Sequence, residues 1–133
     1  MFLLDTAAVA ELDQPQPNPG IIDWLSSVEW NDLYLSVITI AEIWHGIDRL
    51  PSGRKRRSLE ASFDLVRERF PGRILPVDFA IAVEYGHIQA KVGPLPILDT
   101  LIGATAIINR LTVITRNTPD ISRTGARIYD PWI

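Results

Sequence analysis

Cysteine is absent from the 133-residue chain, histidine occurs only twice, and no long apolar run is present. Without cysteine, a disulfide framework and a thiolate-bound metal are both excluded, so any metal would have to take carboxylates or the two histidines. The apolar stretch of residues 1–4 follows no basic segment and ends at Asp5, too short for a signal peptide or a membrane span. We therefore expect a cytoplasmic protein with no membrane partner.

An excess of positive charge is also missing, since the net charge is −3. The molecule as a whole is therefore not an electrostatic binder of nucleic acid, and any contact with RNA or DNA has to be local. The basic run at residues 54–57, RKRR, is the place for such a contact. It forms either the solvated first turns of a helix or a patch that contacts phosphate.

The length and composition predict one globular domain covering residues 1–133, with a real hydrophobic core. Hydrophobic residues make up 47% of the chain and charged residues 22%, close to the usual globular mix. Strand-type segments alternate with helical patterns along the whole chain. This alternation predicts an α/β fold in which helices cover both faces of a mainly parallel central sheet, giving three α/β/α layers.

The predicted strands and helices follow from the hydrophobic periodicity and the turn residues. We expect strands at residues 2–4, 33–37, 74–77, 111–115 and 127–130. We expect helices at residues 7–12, from Pro19 onward, at 39–50, 52–70, 79–92 and 97–109, the fifth of them capped by Asp78.

Four acidic residues fall at the ends of predicted strands or the starts of predicted helices. They are Asp5, Glu42, Asp99 and Asp120. Each has a purely structural explanation. Asp5 could cap a helix, Thr39 and Glu42 fit a capping box, Asp99 would suit the positive end of a helix dipole, and Asp120 could make a turn.

Taken together, the four acids indicate one site, because the carboxyl ends of parallel strands share one edge of the sheet. Carboxylates that lie close together repel one another unless a cation neutralises them, and hard oxygen ligands suit Mg²⁺ or Mn²⁺. A metal held in this way, as one ion or two, supports phosphodiester hydrolysis. We expect His45 and His87, which lack an H-E-x-x-H arrangement, not to be ligands.

Four segments of the chain form a recognisable set: FLLDT at residues 2–6, TIAEI at 39–43, ILDTLIGATA at 97–106 and TRNTPD at 115–120. Together they resemble the PIN-domain family and, within it, a VapC-type toxin of the FitB-like branch of type II toxin–antitoxin systems. The resemblance implies a PIN-like, Rossmann-like fold and a Mg²⁺- or Mn²⁺-dependent endoribonuclease. It further implies that the acidic quartet is catalytic and binds the metal, with Thr6 and Asn117 as its polar neighbours.

The resemblance also implies partners. A toxin of this kind is held inactive by a cognate antitoxin protein, forms a homodimer, and meets operator DNA only through the antitoxin. RNA would be the substrate, with its phosphate charge met by Arg116 or by the basic run.

One position departs from the family pattern, because Ala7 stands where Asn or Ser usually follows Asp-Thr. A hydrogen bond that orients a metal ligand would then be missing. This makes a non-catalytic interaction module on the same fold the first alternative. Phosphoryl transfer of the haloacid-dehalogenase kind is disfavoured, since it needs a second aspartate at position 7. A receiver domain is disfavoured too, because an early acidic pair is lacking.

Overall fold

A five-stranded, all-parallel sheet forms the centre of the computed structural model, which describes residues 1–133. The strand order is β3-β2-β1-β4-β5, so the order reverses at β1. The strands are β1 (Phe2–Leu4), β2 (Leu33–Ser36), β3 (Ile74–Leu75), β4 (Thr112–Ile114) and β5 (Ile128–Tyr129). The prediction of a parallel sheet is confirmed, and a reversal of this kind creates the crevice where α/β proteins bind ligands.

Eight helices connect or follow the strands, and a short 3₁₀ turn, Trp30–Asp32, precedes β2. They are α1 (Thr6–Glu11), α2 (Pro19–Ser26), α3 (Val37–Asp48), α4 (Arg54–Asp64), α5 (Val66–Arg69), α6 (Phe79–Val92), α7 (Ile97–Asn109) and α8 (Thr118–Ser122). None of them alone has the length and apolarity to cross a membrane. Only α6 and α7 taken together do, and they meet at a bend of 118°.

Helices cover both faces of the sheet, as the three-layer prediction requires. Successive strand residues point to opposite faces. Leu4 and Ile114 pack with residues of α1 to α5 in one hydrophobic cluster, whereas Leu3 and Val113 pack with residues of α7 and α8 in another. A third cluster joins α6 to α7. The central strands β1 and β4 are therefore buried from both sides.

The helix predicted over residues 52–70 is wrong in one respect, because it is two helices broken at Leu65. The backbone of Leu65 has φ −96° and ψ 8°, and its side chain is 57% exposed. Phe63, Val66 and Phe70, on either side of the break, are all buried in the same core cluster. Since the break lies on the solvent side and no glycine or proline marks it, the apolar spacing carries no sign of it.

The capping box predicted from Thr39 and Glu42 is also wrong. Strand β2 ends one residue earlier than predicted, and the Ser36 hydroxyl caps α3 by accepting a hydrogen bond from the Ile38 amide at 3.0 Å. Thr39 therefore lies within the first turn, and Glu42 lies in the second turn. The Glu42 carboxylate is thus free of any capping role.

Of the acidic residues predicted at other helix starts or turns, three lie where the sequence predicted and one does not. Asp5 caps α1 through the Ala8 amide at 2.9 Å, and Asp78 caps α6 through the Ile81 amide at 3.0 Å. Asp99 lies in the first turn of α7, as predicted. Asp120, predicted in a turn, lies instead in the first turn of the short helix α8.

Helix α7 packs so closely against the segment after α8 that it needs glycine at position 103. A Cβ on Gly103 would overlap the side chain of Thr124, which is buried. We expect Gly103→Ala to lower the free energy of unfolding by about 1–3 kcal/mol, as overpacking does. Gly86→Ala is the matched control, because Gly86 in α6 has open space around it and alanine favours a helix by about 1 kcal/mol. Urea unfolding of both variants should give shifts of opposite sign.

Candidate active site

The carboxyl edge of the sheet gathers the four acids that the sequence singled out. Asp5 directly follows β1, and α3, which carries Glu42, begins directly after β2. Helix α7 runs back towards the start of β4, so its first turn, with Asp99, lies at the same edge. Asp99 Oδ2 accepts a hydrogen bond from Asn117 Nδ2 at 3.0 Å, and Asn117 immediately precedes α8, which carries Asp120.

Asp5 is the most deeply placed of the four acids, with 6% of its surface exposed. Burial raises the pKa of its carboxyl, and the negative charges of Asp99 and Glu42 raise it further. Hydrogen bonds from Thr115 and from the Ala8 amide act in the opposite direction but do not reverse the shift. Burying a carboxylate near two others costs free energy. Groups with pKa values perturbed in this way cluster at functional sites.

Asp99 is partly buried, and the pKa of its carboxyl is raised by the same two kinds of cause. Burial is the main cause of its raised pKa, followed by the charges of Asp120 and Glu42, whereas the hydrogen bond from Asn117 lowers it. The charges of Asp99 and Glu42 thus act on Asp5, and those of Asp120 and Glu42 act on Asp99. These charge effects connect the four acids at the carboxyl edge of the sheet.

Glu42 and Thr6 form a direct link between α3 and α1. The Thr6 hydroxyl donates to Glu42 Oε1 at 2.6 Å, a short hydrogen bond between residues 36 positions apart. It fixes one oxygen of the carboxylate and leaves the other to accept from a further group. Thr6 and Asn117, the two predicted polar neighbours, therefore each contact one of the predicted site acids.

The donor set fits a hard divalent cation in its chemistry. All four groups are carboxylates, and neighbouring negative charges add to the larger effect of burial in raising the pKa values of Asp5 and Asp99. The side chains are not arranged as a finished chelate, because no group of three or more His, Asp or Glu residues is positioned to hold a metal ion. The ligand types and their shared edge thus agree with the prediction, whereas the tight convergence that it required is not seen.

Sequence reasoning overlooked two threonines at this edge. Thr115, the residue after β4, hydrogen-bonds to Asp5, and its Oγ1 also accepts from the Asn117 amide at 2.9 Å. Thr39 is fully buried in the first turn of α3, and its hydroxyl has no hydrogen-bond partner. Both follow strand ends, so the rule that selected the acids would have found them had it been extended to hydroxyl residues.

Arg116, predicted as a phosphate contact, has its guanidinium 5.5 Å from the ring centroid of Trp132. This position allows a cation–π interaction. The side chain is exposed, so its charge remains accessible from solvent.

The basic run begins α4, as its structural explanation required, and its members differ in their surroundings. Arg56 pairs with Asp48 at 3.4 Å and with Glu60 at 3.3 Å. Arg54 and Lys55 form no ion pair and line a groove of about 980 Å³. Thr6 and Glu42 line the same groove, which therefore opens onto the candidate site.

Removing the Thr6 hydroxyl tests whether Glu42 must be held in place. For the ribonuclease activity that the sequence resemblance implies, we expect Thr6→Val to reduce cleavage by about 10- to 100-fold, the usual cost of losing a group that orients a site ligand. Thr112→Val, at the amino end of β4, is the matched control and should leave cleavage unchanged. If Thr6 acts through Glu42, the effects of Thr6→Val and Glu42→Gln will not add in a double-mutant cycle. Additive losses would contradict this coupling.

The sequence of this chain matches a known protein family. The model of the PIN domain matches residues 2–126, nearly the whole chain. The chain belongs to the PIN-domain family. This confirms both the resemblance and the PIN-like fold predicted from the sequence.

Individual relatives of this PIN domain agree with the FitB-like branch. Toxin FitB of Neisseria gonorrhoeae is 36% identical over 137 residues, covering 99% of both chains. VapC ribonuclease Y4jK of Sinorhizobium fredii is 32% identical, covering 99% of this chain and 98% of the relative. The structure of FitAB bound to an IR36 DNA fragment superposes with a TM-score of 0.92 at 35% identity, covering 100% of this chain and 96% of the other.

Proposed function

We propose that this chain is a Mg²⁺- or Mn²⁺-dependent endoribonuclease and the toxin of a type II toxin–antitoxin module, acting in the cytoplasm as a single PIN domain over residues 1–133. The observation that carries the proposal is the set of four carboxylates at one edge of the sheet, two of them with raised pKa values. The similarity to a protein named as a toxin and to another named as a VapC ribonuclease supports it.

Each site residue has a distinct role in the proposal. Asp5, Asp99 and Asp120 hold the divalent ion, which when bound supplies a nucleophile at neutral pH and stabilises charge on the phosphate. Glu42 either joins these ligands or orients the attacking water, with its carboxylate held by the Thr6 hydroxyl at 2.6 Å. Asn117 holds the Asp99 carboxylate, and Thr115 holds that of Asp5.

We propose that the antitoxin occupies the groove beside this site. Six of the fifteen residues that line the groove are hydrophobic, and Arg54 and Lys55 line it without ion pairs. These two cations lie in the first turn of α4, where the helix dipole disfavours positive charge by about 0.3–1 kcal/mol each. An amphipathic segment of the antitoxin would cover the hydrophobic lining with its apolar side. Its acidic side chains would pair with Arg54 and Lys55. The hydrophobic residues of the groove are Ala10, Ile43, Ile47, Leu50, Leu59 and Phe63.

A feature of Asp13 adds to this argument. Its Oδ2 is buried without a hydrogen bond, and Arg69 Nη1 is 3.9 Å away. The Asp13 carboxylate thus has only a long ion pair at this oxygen, so the groove wall keeps negative charge that a basic side chain of the antitoxin could meet. Operator DNA would then be reached only through the antitoxin.

We also propose a homodimer. Phe79 and Val83, one turn apart on α6, are 86% and 42% exposed. Large apolar side chains that remain exposed in this way are typical of a contact surface. Sedimentation of Phe79→Glu should then show monomers where the unmodified chain forms dimers.

The direct test of the proposed activity uses the chain purified free of antitoxin. Incubated with a labelled oligoribonucleotide, it should cleave in the presence of Mg²⁺ or Mn²⁺ and stop cleaving when EDTA is added. DNA of the same sequence is the control substrate and should remain intact. Absence of RNA cleavage with either ion would contradict the proposal.

The second candidate function is a non-catalytic interaction module. Two observations favour it, the lack of a finished chelate in the structure and the presence of Ala7 beside the site. It predicts that antitoxin binds while Mn²⁺ does not. Calorimetric titrations with antitoxin and with Mn²⁺ therefore distinguish the interaction module from the ribonuclease.

A further inference from the structure

A second, smaller cavity of about 300 Å³ lies between α6 and the segment that follows α8. Only two of the eight residues that line it are hydrophobic. Its charged and polar wall comprises Glu84, His87 and Lys91 from α6, together with Arg123, Thr124 and Gly125. The composition suits a polar or charged ligand rather than an apolar one.

Two positive charges in this cavity are not neutralised by the protein. Lys91 and Arg123 form no ion pair, and Glu84 is the only acid in the wall. The Arg123 guanidinium makes a single hydrogen bond, from Nη2 to the Val92 carbonyl at 3.2 Å. Most of its donors therefore remain available, in a planar fork that matches the oxygens of a phosphate group.

The residues that line the cavity are close in sequence to two acids of the candidate active site. Arg123 follows Asp120 by three residues, a rise of about 4.5 Å along a helix. Val92 ends α6, and only residues 93–96 separate it from α7, whose first turn carries Asp99. Lys91 and Arg123 thus each lie within eight residues of a site acid along the chain.

We infer that Lys91 and Arg123 bind a backbone phosphate of the RNA, at a nucleotide adjacent to the one that is cleaved. The inference rests on the proposed ribonuclease function. RNA is a polyanion, whereas the chain has a net charge of −3 and four acids at its site, so local cations are needed to hold the substrate there. Charge-assisted bonds from arginine and lysine are the usual means of holding phosphate.

The backbone at Gly125 also permits close approach of a ligand. Gly125 has φ +91°, a conformation that favours glycine, and no atom lies within 4 Å of where a Cβ would be. A phosphate in the cavity can therefore approach the main chain at this point without meeting a side chain.

The test measures RNA binding separately from RNA cleavage. In an Asp99→Asn background without divalent metal, binding of a fluorescent 12-nucleotide RNA is followed by anisotropy as the salt concentration rises. Removing two phosphate contacts by Lys91→Gln with Arg123→Gln should weaken binding by about tenfold or more. It should also reduce the slope of log K against log salt by about 0.7, the contribution of one neutralised phosphate of a single-stranded nucleic acid.

Two control variants make this result specific. Arg67→Gln with Arg127→Gln removes the same total charge from α5 and from the amino end of β5, and should change affinity by about twofold at most. The exchange Lys91→Arg with Arg123→Lys keeps both charges and should retain most of the binding. Equal weakening by the control pair, or an unchanged salt slope in the glutamine pair, would overturn the inference.

Cleavage by the metal-loaded chain distinguishes this inference from the function on which it rests. If the unmodified chain cleaves RNA and the glutamine pair raises KM while leaving kcat within about twofold, both hold. If the glutamine pair cleaves with unchanged KM, the phosphate site is wrong and the ribonuclease stands. If the unmodified chain binds RNA through Lys91 and Arg123 but never cleaves it, the phosphate site stands and the proposed activity fails.

Discussion

Asp99→Asn is expected to lower the rate of RNA cleavage by about a thousandfold. A loss of this size is usual when a group that stabilises transition-state charge is removed. The substitution keeps the shape of the side chain and an oxygen that can accept the Asn117 hydrogen bond, now 3.0 Å long. It removes the charge that a divalent cation needs. Rates measured at saturating RNA and metal report the effect directly.

The control for Asp99→Asn is Asp64→Asn, which also removes one negative charge. Asp64 is exposed at the end of α4 and forms no hydrogen bond or ion pair through its side chain. Its substitution should leave the cleavage rate unchanged. Full activity of Asp99→Asn would remove Asp99 from the catalytic group.

Asp5→Asn is expected to act in opposite directions on activity and on stability. Cleavage should fall by about a thousandfold, for the reason given for Asp99. The metal-free chain should become more stable, by about 1 kcal/mol, because a neutral amide avoids the burial and repulsion that raise the pKa of Asp5. Asparagine also remains a good N-cap, so the hydrogen bond from the Ala8 amide is kept.

The stability gain of Asp5→Asn should depend on pH in a defined direction. Since the pKa of Asp5 is raised in the folded chain, its favourable contribution is complete below the ordinary value of 3.8 and is lost as the pH rises through the raised value. The variant and the unmodified chain should therefore differ most near pH 7. Urea unfolding at a series of pH values without metal should show the difference shrinking towards pH 4. A difference that grows on acidification would contradict the assigned direction.

The architecture followed from the sequence because its signals are local and repeated. Alternating strand and helix patterns predicted the parallel sheet, and Asp5 and Asp78 were correctly predicted as helix caps. The break at Leu65 could not be predicted, since it changes neither the spacing nor the burial of the apolar residues around it. A competing cap was also available at the start of α3, and Ser36 took the position predicted for Thr39.

The shared edge of the four acids was predicted from the sequence, whereas their contacts with neighbouring residues were not. The rule that strand ends share one edge identified the four acids, whereas the hydrogen bond from Thr6 to Glu42 joins residues 36 apart and follows only from the packing of α1 against α3. Lys91 and Arg123 carried no sequence signal, because neither belongs to a charge run. Only the fold brings them to one cavity.

Calorimetric titration of Mn²⁺ into the antitoxin-free chain tests most directly whether carboxylates from four separate segments act as one cation site. The unmodified chain and Asp64→Asn should bind the ion with the same affinity, and Asp5→Asn and Asp99→Asn should each bind it at least about tenfold more weakly. Equal Mn²⁺ affinity in all four proteins would show that the acids at the sheet edge do not form a common metal site.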